Sequence, residues 1–270
     1  MKVNEMKNVS TVILCGGRGT RMRELARTIP KPMVPIGDRP FLWHIMEWYA
    51  RFDYTDFVLA LGWRGEAIKS FVLHHRLLLG DFAGETGTGG EFAPLNSADP
   101  ALEPWRISCI DTGRDSKTAT RVKRVADRTS GDQIMVTYGD GLSDIDIDSL
   151  LRFHRDHGRL ATISAVRPPG QYGEVSLSRD GRVEVFREKP AVTDRRVNGG
   201  FMVFEREAID RYFPEDRDVM LEEGPLNALA RDGELMGYQH DGFWRAMDDP
   251  NDHAVLDQMW NADKAPWRVG

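Results

Sequence analysis

The chain has 270 residues, of which 41% are hydrophobic and 29% charged, and 36 basic against 42 acidic residues leave a formal charge of −6. That balance excludes a fibre or a disordered chain. With no long basic run, it also excludes bulk binding to nucleic acid or to an anionic membrane. A chain this long buries about 75% of its unfolded surface, so it needs no disulfide staples. Its two cysteines, Cys15 and Cys109, sit in apolar strand-like runs and read as reduced, buried thiols. Met1 to Ser10 lacks the apolar segment of a signal peptide, and no apolar stretch is long enough to span a membrane. A reducing cytoplasm is the expected location.

The run Thr11 to Cys15 reads as a buried parallel strand ending in a Gly-rich turn. From Phe41 to Phe52, Leu42, Ile45, Met46 and Tyr49 share one helical face. A strand over 56–61 and a helix over 65–79 follow. Residues 80–104 break the rhythm with five glycines and three prolines, as a lid, subunit contact or mobile segment would. The alternation then resumes: strand 106–110, helix 118–127, strand 133–137, helix 147–157 and strand 161–166. Buried strands alternating with helices predict a Rossmann-like α/β fold, a mostly parallel sheet flanked by helices. Strands near 174–178, 182–186 and 200–204 are separated by turn signals and predict antiparallel additions in the C-terminal half. Helices are predicted near 217–231 and 250–261, the second with Asp249 as N-cap and Pro250 at N1. The chain is expected to be one domain over 1–270, in two parts, 11–166 and 167–270.

Gly16-Gly17-Arg18-Gly19-Thr20-Arg21 follows the first strand. Glycines there let backbone N–H groups face an anion. No Gly-Lys-Ser/Thr closes the turn, so it is not a Walker A loop. The third glycine of a dinucleotide fingerprint would fall at Met22, which disfavours an oxidoreductase. Ten residues after Arg21 comes Lys31 in Pro30-Lys31-Pro32-Met33, and the prolines are expected to hold that segment extended. A Gly-rich turn with two cations suits a triphosphate. The plainer alternative is a strand–helix turn with solvated basic residues.

Gly-Gly-x-Gly-Thr-Arg followed by Pro-Lys-Pro-Met resembles the signature of the sugar-1-phosphate nucleotidylyltransferases. Leu42-Trp43-His44-Ile45-Met46, Glu103-Pro104-Trp105, Asp111-Thr112-Gly113, Thr137-Tyr138-Gly139-Asp140-Gly141, Asn198-Gly199-Gly200-Phe201, Gly242-Phe243-Trp244 and Lys264-Ala265-Pro266-Trp267 are similar to blocks of the cytidylyltransferases that act on glucose 1-phosphate. The resemblance implies Mg2+-dependent transfer from CTP to α-D-glucose 1-phosphate by direct in-line attack, giving CDP-glucose for deoxysugar synthesis, with pyrophosphate released. It also implies a homo-oligomer. The same chemistry with UTP, dTTP or another sugar 1-phosphate is the closer alternative. A non-catalytic nucleotide-sugar sensor is the more remote one, since such a sensor would be expected to lose an aspartate or Lys31.

Carried onto this sequence, the resemblance places the nucleotide on Leu14, Cys15, Gly16, Gly17, Arg18, Gly19, Thr20, Arg21, Lys31, Ser116, Arg121 and Gly139. Arg21 and Lys31 are the expected catalytic cations. Tyr138, Gly173, Glu188, Lys189, Asn198 and Gly199 are expected to hold the sugar phosphate. Asp140 and Asp248 are expected to hold Mg2+, an ion satisfied by one or two carboxylates plus phosphate oxygens and waters. By pattern alone Asp140 is equally a tight turn and Asp248 the start of a helix. Trp244, Trp260 and Trp267 read as packing residues. The family's Thr-Gly-Gly-Arg is replaced by Thr118-Ala119-Thr120-Arg121. Ala and Thr adopt positive φ at a cost, so a reshaped loop and weaker base discrimination are expected there.

Overall fold

The computed structural model describes residues 8–19, 22, 28–78, 81–86, 92–94, 105–170, 173–188 and 195–268. The first half runs β1 (Ser10–Cys15), β2 (Pro35–Ile36), β3 (Arg39–Pro40), α1 (Phe41–Ala50), β4 (Asp56–Leu61), α2 (Gly65–Leu78), β5 (Phe82–Gly84), β6 (Phe92–Pro94), β7 (Arg106–Asp111), α3 (Thr118–Val125), β8 (Gln133–Tyr138), β9 (Gly141–Ser143), α4 (Ile147–His157) and β10 (Ala161–Val166). The second half adds β11 (Glu174–Leu177), β12 (Val183–Arg187), β13 (Val197–Glu205), α5 (Arg206–Tyr212), α6 (Pro225–Arg231), β14 (Leu235–His240), β15 (Trp244–Ala246) and α7 (Pro250–Asn261).

Seven strands form the central sheet in the order β14-β10-β13-β8-β1-β4-β7. β1 pairs in parallel with both β4 and β8, and β4 with β7. β13 runs antiparallel to β8 and β10. The sheet is therefore mixed and mostly parallel, as the alternating pattern predicts. Period-two alternation along β1 sends Ile13 and Cys15 to one face and Val12 and Leu14 to the other. The first face packs with α1, α4 and α7 through residues such as Phe41, Leu150 and Leu256. The second packs with α3, α5 and α6 through Val122, Ile209 and Leu229. Both faces are covered, which is why β1, β4 and β8 are apolar along their length.

Three expectations change. The helix predicted over 217–231 shortens to α6, because Gly224 and Pro225 start it late, and Leu226 N–H bonds back to Leu221 O at 2.9 Å. A separate helix, α5, precedes it, its start too poorly capped to be read from sequence. Within the described part of 80–104, β5 and β6 form a small hairpin closed by an edge-on Phe82–Phe92 contact at 5.9 Å. The predicted α7 stands as read: Asp249 accepts from Asp252 N–H, Pro250 follows, and Asp252 reciprocates in a capping box.

Candidate active site

The carboxyl ends of β1, β4, β7 and β8 lie side by side, and connections leave β1 and β8 in opposite directions along the sheet. In open α/β sheets that arrangement leaves a crevice for a ligand. Here it holds a cavity of about 510 Å3. Its walls are Leu14 and Gly16–Gly19 after β1, Lys31 and Pro32, the 114–118 segment with Arg121, Tyr138–Asp140 after β8, and Met220 and Asp248. Most of the residues expected to bind nucleotide are thus drawn into one cavity.

The cavity floor carries a charge cluster. Lys31 Nζ donates to Asp140 Oδ2 at 2.7 Å and to Asp248 Oδ1 at 3.0 Å. The lysine side chain is 11% exposed and the aspartates 35% and 44%, so the cation is enclosed while the carboxylates keep open sides. Burial disfavours the ammonium, but Asp140 and Asp248 outweigh it and hold the Lys31 pKa above its ordinary value. The prolines do not keep Lys31 extended. Met33 N–H bonds to Pro30 O and Val34 N–H to Lys31 O, closing a single 3-10 turn over Lys31–Met33. A φ near −65° suits that turn as well as an extended chain.

The two aspartates, 108 positions apart in sequence, meet because of a short ribbon. β9 pairs antiparallel with β15, bringing Gly141 opposite Ala246. Met247 N–H then donates to Asp140 O at 2.8 Å. Two convergent carboxylates with open sides fit a hard divalent ion completed by waters and phosphate oxygens. No third His, Cys or acidic group joins them among the described residues.

Arg121 behaves differently from a ligand contact. It is 3% exposed. Its Nη1 donates to Leu61 O, Thr112 Oγ1 and Gly113 O at 2.7–2.9 Å, and its Nη2 to Gly16 O and Arg114 O at 3.2 and 3.3 Å. The guanidinium ties together the loops after β1, β4 and β7. Gly16 and Gly62 admit it: a Cβ on either would come within 2.5 Å of guanidinium atoms. The glycine at position 16 is therefore needed for the arginine, whatever it offers an anion. Ser116, also expected at the nucleotide, accepts from Arg124 Nη1 at 2.7 Å and lines the cavity. Across the mouth, Arg18 pairs with Asp115 through Nε at 3.0 Å and Nη2 at 2.5 Å.

Ala119 and Thr120 do not form a reshaped loop. They occupy the first turn of α3, and neither has a positive φ. Ala119 is buried and its N–H donates to Val219 O at 3.2 Å. Thr118 Oγ1 accepts from Leu221 N–H at 2.8 Å, and Thr120 Oγ1 from Val219 N–H at 3.4 Å. These bonds seat the 218–221 segment and place Met220 in the cavity wall, a residue that sequence reasoning missed.

Cys15 is not brought to the cavity. Its side chain is fully buried on the opposite face of the sheet, and burial pushes its thiol pKa far up. Thr20, Arg21 and Lys189 lie outside the described residues. Among the expected sugar-phosphate residues, Tyr138 lines the cavity and its hydroxyl donates to Glu222 Oε1. Burial first, then Glu222, drive the phenol pKa well above its ordinary value. Gly200, at φ +83°, leaves room for that ring, since a Cβ there would sit 2.4 Å from it. Asn198 Oδ1 accepts from Gly200 N–H at 2.9 Å, and Gly199 O accepts from Trp244 Nε1 at 2.7 Å. Gly173 and Glu188 lie together where β11 and β12 pair, a Cβ on Gly173 falling 2.9 Å from Glu188 Oε2. Among the described residues, the cavity wall includes none of Gly173, Glu188, Asn198 and Gly199. Trp267 is buried against Phe243 at 5.1 Å and Trp260 meets the His44 ring edge-on at 4.5 Å, so both are packing residues as read.

Comparison with known proteins gives this geometry its relatives. Over 97% of its length the chain is 39% identical to a glucose-1-phosphate cytidylyltransferase of Salmonella typhimurium, covering 99% of that protein. It is 38% identical to a probable glucose-1-phosphate cytidylyltransferase of Bacillus subtilis, covering 97% of this chain and 100% of that one. The structure of HddC from Yersinia pseudotuberculosis complexed with GMP-PN superposes with a TM-score of 0.66 at 21% identity, covering 93% of this chain and 99% of that one, which supports the fold. The family model for nucleotidyl transferases matches residues 10–247, from the first residue of β1 to the one before Asp248. All the strands and every residue of the cavity wall except Asp248 fall within that match, and the chain belongs to the nucleotidyl transferase family.

Proposed function

We propose that this enzyme transfers the cytidylyl group of CTP to α-D-glucose 1-phosphate, forming CDP-glucose and pyrophosphate. The observation that carries the reading is the full-length similarity to curated glucose-1-phosphate cytidylyltransferases. The cavity supports it, with a Gly-rich turn, an enclosed lysine and two convergent carboxylates at adjoining strand ends.

A phosphate monoester dianion is itself the nucleophile, so no protein group has to attack. Catalysis reduces to positioning and charge neutralisation. The Gly16–Gly19 turn and Arg21 hold the β- and γ-phosphates. Lys31 offsets charge that grows at the α-phosphorus. Asp140 and Asp248 would hold Mg2+, which when bound would polarise phosphoryl oxygens and offset charge on the leaving pyrophosphate. Lys189 binds the incoming phosphate, with Tyr138, Gly173, Glu188, Asn198 and Gly199 around the sugar. On this reading residues 11–166 form mainly the nucleotide half and 167–270 mainly the sugar-phosphate half of one domain. The enzyme works as a homo-oligomer in the cytoplasm, a location supported by its two free cysteines.

The test is pyrophosphate release from a matrix of nucleoside triphosphates and sugar 1-phosphates. CTP with glucose 1-phosphate should give the highest kcat/KM. A higher value with GTP, UTP or dTTP would reject the cytidylyl assignment and keep the family.

A further inference from the structure

The carboxylate of Asp252 does more than cap a helix. At the start of α7, Asp249 Oδ1 takes the N–H of Asp252 at 2.9 Å, and Asp252 completes the capping box. Asp252 turns its own Oδ2 back onto two backbone amides, those of Asp248 at 3.0 Å and Asp249 at 3.3 Å. Its Oδ1 accepts from Arg245 Nε at 3.1 Å and Nη2 at 3.0 Å. Both partners are largely enclosed, at 16% and 18% side-chain exposure. Arg245 stands on β15, in register with Leu142 of β9, one residue beyond the Asp140–Gly141 turn. A closed chain of contacts results: Asp140 O to Met247 N–H, along β15 to Arg245, across to Asp252, and back to the amide of Asp248.

We propose that Asp252, backed by Arg245, is a positioning residue that fixes the Asp248 backbone so that its carboxylate converges with that of Asp140. The proposal rests on reading Asp140 and Asp248 as the metal pair. Charge-assisted bonds to an amide are short, directional and hard to displace in an enclosed site. Arg245 gives this second acid a partner of its own, so Asp252 can stand close to Asp248 without an unpaired like charge. Two aspartates on separate loops would otherwise lose convergence through small backbone shifts, and outer partners of metal-holding groups commonly tune affinity by about 10–100-fold.

The experiment titrates Mn2+ onto the full-length enzyme saturated with CDP-glucose, with free ion read by electron paramagnetic resonance and thermal melts run in parallel. Asp252→Ala should weaken Mn2+ binding by about tenfold or more. It should also raise the Mg2+ needed for half-maximal rate by a similar factor, with a smaller change in kcat at saturating Mg2+. Asp252→Asn keeps an acceptor for the amide and loses the charge toward Arg245, so it should fall between Ala and wild type. Asp249→Ala should lower the melting temperature and leave Mn2+ affinity in place. Should Asp252→Ala not fold, Arg245→Met carries the prediction, with an expected weakening of about threefold, below the range for a directly bonded partner. Equal melting losses in Asp252→Ala and Asp249→Ala, with Mn2+ affinity unchanged in both, would overturn the positioning role alone. Wild-type Mn2+ affinity in Asp248→Asn would overturn the metal reading and this proposal together.

Discussion

Two basic side chains near the Gly-rich turn have opposite roles. Lys31 is enclosed, yet its partners are two half-open carboxylates that can exchange it for other cations. Arg121 is more deeply enclosed, and its bonds end on four backbone carbonyls and a hydroxyl, neutral groups fixed in the scaffold. The first arrangement keeps binding capacity in reserve. The second consumes it to hold three loops in register. A cation's worth to a ligand is therefore set by what already satisfies it, and substitutions on the two sides should separate chemistry from scaffold.

The largest effect is expected on the reactive side. Asp140→Asn and Asp248→Asn should each lower kcat by about 100-fold or more, on the order of 3 kcal/mol of transition-state stabilisation. Their melting temperatures should stay close to wild type, because both side chains are partly solvated. Steady-state kinetics beside calorimetry checks this. A loss of fold with kcat intact would reverse the comparison. Asp249→Asn should cost little in either assay, since Asn caps a helix nearly as well as Asp.

Arg121→Met sharpens the other side. Gly16 O keeps Trp63 N–H and Leu61 O keeps Thr112 N–H, so the loss falls on Gly113 O and Arg114 O after β7, at about 1–3 kcal/mol for each carbonyl left unpaired. Unfolding stability should fall by about 3 kcal/mol, and KM for CTP should rise as the loops loosen. An unchanged melting temperature with a large rise in KM would mean that the guanidinium serves the nucleotide directly.

A smaller effect is expected at the start of α3. Replacing Ala119 and Thr120 by glycine should cost about 1–2 kcal/mol of stability through lost helix preference. It should leave the CTP/UTP ratio of kcat/KM unchanged, because no positive φ is required there. A higher ratio in the double-glycine variant would restore this segment as a determinant of base choice.

The smallest effect belongs to a carboxylate outside the cavity. Burial pushes the Glu205 pKa up, but hydrogen bonds from His154 and Gln133 outweigh burial and leave it below its ordinary value. A depressed carboxyl pKa adds stability above the unfolded value, near 4.3, and loses it as pH falls through the folded value. Glu205→Gln should therefore flatten the acid limb of the stability curve and leave turnover at neutral pH unaltered. An acid limb identical to wild type would remove Glu205 from that account.

Much of this arrangement was legible in the residues themselves. The apolar runs at β1, β4 and β8 announce a covered parallel sheet, and Asp249-Pro250 marks the start of α7 to the residue. The Gly-rich turn and Lys31 stand out by pattern, whereas the two aspartates are singled out by the family resemblance. What stayed hidden depends on long-range contacts of short segments. β9 and β15 are three residues each, too short to show a period, yet they bring Asp140 to Asp248. Met220 reaches the cavity because its neighbours Val219 and Leu221 are seated by backbone and hydroxyl groups of α3. Arg121 reads as a free cation until its five acceptors are seen, since sequence carries no record of which carbonyls a fold leaves facing inward.

Transfer between two phosphoanhydrides leaves little net driving force, so the proposed reaction should run in both directions within about a factor of ten, roughly 1.4 kcal/mol. The decisive measurement supplies purified enzyme, Mg2+ and excess pyrophosphate with CDP-glucose, and follows nucleoside triphosphate formation. The account predicts CTP and glucose 1-phosphate in equal amounts, formed about 100-fold or more slowly by Asp248→Asn. No CTP from CDP-glucose, with triphosphate released instead from another nucleoside diphosphate sugar, would contradict it.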